Sequence, residues 1–453
     1  MESKSKLKPV SVFSAISMII AIVIGSGIFF KSNDILVKTG GSVWLGILVF
    51  CIGAFSIIFG SLTLTELAKR TTKDGGVIAY IHDFISPSMA SGFGWFQTYV
   101  YFPTYAVCLS WFTANYVCLL FGHTSPSYEE TLKVAIALMF IFFAFNVLSI
   151  SLSEKFQTFS TIVKLIPLLS LTALALILGS HNPALPQGVQ LVEKTNVGFG
   201  FLTALTTVVF AYEGWVVAIN VTNRLKKPSR DIPLAFIIGP MIIFLAYILY
   251  FIGINLFLSP EYIMSVGSDY IKTIGEIIFG KYGSNIVLIT VIIAMCGVLN
   301  GNIQLGMQGS RIMAEDKMIP KSEKIAKINK KTRHSYLSCL IYMLVSILYM
   351  PVHYLLVKFS IVATDICTVA VVLGYAFYIF LYVKVFAMRK NKILNSTFKG
   401  YICPVFATIG SLITLIAGLF IDPVVISIIF IFYLAIFMAG YLYYKKTHKA
   451  NNN

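Results

Sequence analysis

Charge is scarce in this chain. Of 453 residues, only 12% are Asp, Glu, Lys or Arg, about half the share of a soluble globular protein, which excludes a molecule covered all round by a water-facing surface. Cysteines number seven and are scattered, mostly inside apolar runs, as at Cys51, Cys108, Cys296 and Cys367. With no CxxC spacing and no His/Cys cluster, neither a disulfide framework nor a metal centre is indicated, and no cofactor is expected. No Walker motif supports ATP-driven transport, and no HExxH or nucleophile–base pair at helical spacing points to an enzyme. The gaps between apolar runs are too short to house a soluble domain.

What is abundant is hydrophobic sequence, 57% of the chain. A membrane span needs about 20 predominantly apolar residues. Twelve such runs are predicted, near 10–30, 41–67, 93–121, 131–151, 158–180, 199–222, 232–258, 284–311, 335–351, 357–383, 401–421 and 423–443. Lys4, Lys6 and Lys8 before the first run resemble the start of a signal peptide, but no cleavage site and soluble domain follow, so the run is read as a retained span. The fold class is thus an all-α polytopic membrane protein, with the lipid bilayer as its surroundings.

The formal net charge of +16 does not call for nucleic acid, because the basic residues fall in short gaps between apolar runs and not on one stripe. With the N-terminus placed in the cytoplasm, 27 of the 35 Lys and Arg fall in inward segments and seven in outward ones, Lys31 and Lys38 among the latter. This asymmetry predicts a multi-pass protein of the cell membrane with both termini inside.

Two spans are interrupted. The first reads AIVIGSGIFF, with Gly25, Ser26 and Gly27 at its middle, and the sixth reads VVFAYEGWVV, with Glu213 and Gly214 at a similar depth. Irregular backbone inside a bilayer is tolerated only where it is buried in protein or lines a cavity. If the first ten spans form two halves of five, the breaks occupy corresponding places, which is the sequence pointer to a transporter binding site. N–H groups freed at the start of a half-helix favour a carboxylate, and carbonyls freed before the break accept from an ammonium group. Such a pocket is complementary to a zwitterionic α-amino acid. The competing reading, that Gly-x-Gly merely lets helices pack closely, applies to the GSG motif taken alone.

GSGIFF, FAYEGW, ELAKRTTKDGGVIAYI, KLIP at 164–167 and MAEDKMIPKSEKI at 313–325 resemble the amino acid–polyamine–organocation superfamily. Within it they are most similar to the L-type amino acid transporter branch and its bacterial serine/threonine and alanine/serine/cysteine exchangers. The resemblance covers spans one to ten, with spans eleven and twelve agreeing in number only. It implies a 5+5 inverted repeat of the LeuT type: residues 1–180 as the first repeat, 198–384 as the second, and 400–445 as two further helices. It also implies a substrate site built from Val23, Gly25, Ser26, Gly27, Ile28, Phe210, Ala211 and Glu213. The Ser26 and Gly27 amides would take the carboxylate, carbonyls near Val23, Phe210 and Glu213 the amine, and the Phe210 ring would close over the substrate from outside.

Three places depart from the family pattern. Paired acids expected before the sixth-to-seventh connection are replaced by Asn223-Arg224-Leu225-Lys226-Lys227-Pro228. A Pro-Arg pair expected in span eight appears as Met307-Gln308, with an arginine only at Arg311. Ser125 stands where animal members carry the cysteine that joins them to a heavy-chain glycoprotein, so no disulfide-linked heavy chain is expected.

Lys164, one and a half to two turns into the predicted fifth span, costs about 2.5–3.5 kcal/mol to insert and is a functional candidate, with snorkelling to the nearby face as the competing reading. In the resembling transporters a lysine here occupies the space that sodium-coupled relatives give to an ion, which implies a coupling role without sodium. Glu213 either shapes the pocket or ties down the unwound segment. Asp365 in span ten lacks a named partner, and Glu66 near the inner end of span two reads as a gate or interface charge. The leading expectation is a sodium-independent exchanger of small or medium neutral L-amino acids. Proton-coupled uptake through Lys164 or Glu213, and transport of cationic amino acids or polyamines, are the alternatives. A sensor that binds without turnover is disfavoured by the absence of any signalling domain in the sequence.

Overall fold

A computed structural model describes residues 11–25, 27–71, 73, 75–123, 126–218, 228–329, 334–361 and 365–449. These are 83% helical and contain no strand. Helices α1 (Val12–Val23) and α2 (Gly27–Lys38) divide one apolar stretch, and α3 (Val43–Ala68) follows behind a Ser42 cap that accepts from the Leu45 N–H. Short α4 (Val77–Phe84) and α5 (Pro87–Phe96) lead through a widened turn at Gln97–Tyr101 into α6 (Phe102–Leu120). Pro103 has no N–H to offer the carbonyl four residues back, which accounts for the widening.

Next come α7 (Tyr128–Leu148), started by a Ser127/Glu130 capping box, and the long α8 (Ile150–Leu178). A second divided stretch holds α9 (Ala204–Ala211) and α10 (Trp215–Ala218). It precedes α11 (Pro228–Phe257), the short α12 (Pro260–Val266) and α13 (Tyr270–Phe279), and α14 (Gly283–Glu315). The chain continues through α15 (Ser322–Ile325), α16 (Tyr336–Lys358), α17 (Ile366–Lys390), α18 (Cys403–Leu419) and α19 (Pro423–Lys449).

Among the described residues nine helices are long and apolar enough to cross a membrane. Their outer faces carry large apolar side chains such as Trp44, Leu348 and Ile431, whereas Ser61, Thr63, Thr65 and Asn300 are buried. A helical assembly that is greasier outside than parts of its interior suits lipid as solvent. The protein is therefore a polytopic helical membrane protein. Helix α17 lies at its centre: 78% of its apolar window is buried, against 28% for α7, α16 and α19.

Several expected boundaries shift. The first stretch runs to Lys38 and not to residue 30, so Lys31 and Lys38 belong to α2 and not to an outward loop. The reason is packing: Lys31 is 4% exposed and Lys38 donates to Thr207 Oγ1 at 2.8 Å, so both amines are held inside the bundle. The tenth span begins at Ile366, about nine residues later than predicted, behind an Asp365 cap. The fifth begins at Ile150 instead of 158, so Lys164 sits 14 residues in, roughly 20 Å along the helix.

Candidate functional site

Both predicted breaks are present. Helix α1 ends at Val23 and α2 begins at Gly27, and α9 ends at Ala211 before turn residues Tyr212, Glu213 and Gly214. Gly214 adopts φ +106°, a backbone that side-chain-bearing residues rarely take, so the second break depends on that glycine. The two breaks abut: a Cβ added to Gly27 would stand 2.7 Å from Ala211 Cα. Across them the Tyr247 hydroxyl of α11 reaches the Val23 carbonyl at 3.1 Å and the Ala211 carbonyl at 3.0 Å. One phenol O–H is thus shared between a carbonyl from each half-helix. The Phe210 carbonyl accepts the Glu213 N–H at 3.1 Å.

Ser26 lies outside the described residues, as do Ser125 and the Asn223–Lys227 stretch. Val23, Gly25, Gly27, Ile28, Phe210 and Ala211 are all buried around the junction. Gly25 packs on α14, where an added Cβ would meet Val298 at 2.9 Å. The neighbouring Gly297 faces Ser160 of α8 so closely that a Cβ would reach Ser160 Oγ at 2.1 Å. Lys164 is one helical turn beyond Ser160 on the same face and is 1% exposed. Its depth within α8 removes the snorkelling reading, which rested on a later helix start.

Glu213 stands at the wall of two cavities. The first, of about 260 Å³, is lined by Tyr101, Tyr105, Gln157, Gly214 and Asn302 among others. The second, of about 490 Å³, shares Tyr101, Phe102, Glu213 and Leu305 and extends to Lys73, Gln308, Arg311 and Glu315. Of the site residues expected from sequence, Glu213 alone among the described ones lines these cavities; the others form the packed junction behind it. The Glu213 carboxylate accepts from the Tyr101 hydroxyl and from the Gly214 N–H. No basic side chain pairs with it among the described residues. Tyr101 owes its place to the widened turn before Pro103, and its ring is parallel to that of Tyr105, which in turn meets Phe210 at 5.2 Å.

A buried charge pair packs against the junction at Phe210. Lys31 Nζ contacts Asp365 Oδ2 at 2.8 Å and Asp34 at 3.6 Å, and lies 5.0 Å from the Phe112 ring and 5.2 Å from that of Phe210. Asp365, left without a partner by sequence reasoning, accepts the Thr368 N–H at 2.7 Å as the cap of α17 and pairs with a residue more than 300 positions away. Only the position of Lys31 one turn after Gly27 hinted at this. Also unforeseen is a buried amide network joining three helices. Asn146 donates to Asn300 at 2.9 Å, Ser153 to Asn146 at 2.7 Å, and Asn300 to Gln157 at 3.3 Å. Glu66, read as a gate or interface charge, is bridged by Lys69 at 2.9 Å and Arg70 at 3.1 Å, with Lys399 at 3.7 Å.

A comparison of the chain with known families matches the amino acid permeases over residues 10–448. The chain belongs to the amino acid permease family. Among curated proteins it is 24% identical over 390 residues to the serine/threonine exchanger SteT of Bacillus subtilis, covering 86% of this chain and 85% of that one. The mouse b(0,+)-type amino acid transporter 1 is 29% identical over 57% of this chain and 53% of its own. The human cystine/glutamate transporter is 27% identical over 67% and 60%. This permease therefore spans most of the bacterial exchanger but only half to three fifths of these animal relatives. It is an amino acid transporter of the L-type-like branch, embedded in the membrane, and not an enzyme.

Proposed function

We propose that this permease exchanges small or medium neutral L-amino acids across the cell membrane by alternating access, without sodium. The observation that carries this reading is the junction of the two breaks, where Gly27 abuts Ala211 beside a cavity walled by Glu213. Freed backbone at a helix start favours a carboxylate, and freed carbonyls favour an amine. On this reading the chain has twelve spans, in repeats at 1–180 and 198–384 plus helices within 400–445, with both termini in the cytoplasm and no disulfide-linked heavy chain. The larger cavity then opens inward and the Lys31–Asp365 side is shut. The Bacillus relative, named a serine/threonine exchanger, supports small neutral cargo.

Lys164, buried one turn beyond the Ser160 contact, is the residue assigned to coupling in place of a sodium ion. Purified protein in liposomes without ion gradients, given radiolabelled serine outside, should take it up only when unlabelled amino acid is inside. Equal uptake into empty vesicles would sink exchange, and stimulation by a pH gradient would favour proton coupling. Lys164→Ala should abolish flux while leaving the protein folded, and near-normal flux would remove its role. A second reading, cationic cargo, rests on Glu213 as the one carboxyl group among the described residues that line the 260 Å³ cavity. Competition by arginine that Glu213→Gln removes would favour it.

A further inference from the structure

Beside the Lys31–Asp365 pair two helices bring thiols together. One ligand atom from each of Cys108 on α6, Asp365 and Cys367 on α17 lies within 4.8 Å of the other two, and all three side chains are buried. The Cys367 thiol donates to Asp365 Oδ1 at 2.8 Å, leaving Oδ2 to Lys31. The other five cysteines take part in no such group among the described residues. We propose that Cys108, Cys367 and Asp365 form a binding site for a thiophilic divalent cation, of which Cd²⁺ is the probe, and that its occupation fastens α6 to α17 and holds this side of the permease shut.

The spacing is right for a shared metal. With metal–sulfur bonds of about 2.3 Å or slightly longer, two thiolates on one ion have sulfurs at most about 4.6 Å apart or a little more. Soft sulfur ligands select soft d¹⁰ ions over magnesium or calcium, which prefer oxygen donors. The charges also close. Without metal, two neutral thiols and the Asp365–Lys31 pair sum to zero. On binding, both S–H bonds break, two metal–sulfur bonds form and two protons leave for bulk water. The two thiolates and the carboxylate then balance the dication and the Lys31 ammonium, so the buried site is neutral in both states, as burial demands. The site is distinct from the Glu213 cavity, since none of its three residues lines that space.

The locking half of this proposal rests on the alternating-access reading; the binding half does not. In detergent, full-length protein titrated with Cd²⁺ should show one thiolate-to-cadmium absorption band saturating at one ion per chain. Cys108→Ser and Cys367→Ser should each remove most of it, with Cys→Ala variants standing in should either serine protein fail to fold. In proteoliposomes Cd²⁺ should stop exchange, EDTA should restore it, and both serine variants, which retain a hydroxyl donor, should exchange normally and resist the metal. An undiminished band in the Cys108→Ser/Cys367→Ser protein overturns the site. A band assigned to both thiols with exchange unaffected overturns the lock. Failure of exchange before any metal is added counts against the transport reading alone, and the absorption titration still decides the site.

Discussion

The two sides of the helix junction are built on different principles. On one side a buried lysine and aspartate meet directly at 2.8 Å, ringed by Phe112 and Phe210. On the other, among the described residues, the buried carboxyl of Glu213 meets only a neutral phenol and a backbone N–H, and space remains in front of it. A charge neutralised by a side chain of the opposite sign closes a path, because separating the pair exposes both ions to a poor solvent. A carboxyl held by neutral donors beside open space leaves room for a further partner. On the exchange reading proposed above, the first side would be the gate and the second would take the cargo.

Breaking the closed side should have the largest effect. Asp365→Ala deprives Lys31 of its nearest carboxylate and removes the cap of α17, which should destabilise the fold by about 3–5 kcal/mol. Replacing both partners with apolar residues of similar volume should recover most of that loss, because no buried ion remains. Thermal unfolding in detergent distinguishes the two outcomes; a double variant as unstable as the single one would mean that the cap, and not the ion pair, matters.

The open side should yield more gently. Tyr101→Phe removes the phenol's hydrogen bond to the buried Glu213 carboxyl and leaves that group short of a partner, at a cost of about 1–3 kcal/mol. Since Glu213 lines the cavity, that change should appear in apparent affinity for cargo and in exchange rate more than in unfolding temperature. An unfolding shift without an effect on exchange would reduce Glu213 to a structural prop. At the junction between the sides, Gly27→Val drives a side chain against Ala211 backbone, an overpacking cost of about 1–3 kcal/mol. Serine binding measured by thermostabilisation should vanish in that variant; unchanged stabilisation would place the cargo elsewhere.

How much of this was legible beforehand follows from which interactions are local. Helices, breaks and the direction of the asymmetry in charge are written in runs of neighbouring residues, and GSG and YEG announced the junction correctly. The Lys31–Asp365 pair was not legible because its partners are separated by most of the chain, and Lys31 looked like a loop lysine until α2 proved to continue past it. Lys164 was placed too near a helix end because polar residues 151–157 masked the start of α8. The Tyr101–Glu213 contact depends on the rotation of α6 after a widened turn, which hydropathy does not encode. Proline at 103 gave the one local sign that a distortion was there.

The smallest expected effect concerns the mouth of the larger cavity, where Lys73 lies 3.8 Å from Asp83. Burial tends to raise the Asp83 pKa, but the Thr71 hydroxyl donating at 2.5 Å, His82 at 2.9 Å and Lys73 outweigh it, so the carboxyl titrates below its ordinary range. A depressed folded value means stabilisation that is complete above the unfolded pKa of about 3.9 and is lost as pH falls through the folded one. Asp83→Asn should therefore lower stability by about 0.2–1 kcal/mol, the range of a partly exposed ion pair. The gap between variant and natural protein should stay constant above about pH 5 and shrink only below about pH 4. A gap that keeps its size down to about pH 2 would show that hydrogen bonding by this carboxyl, and not its charge, sets the effect. The expected result has the open side tuned at its rim by solvent-screened charge, in contrast to the closed side, where the ions are buried and removing one is felt throughout the fold.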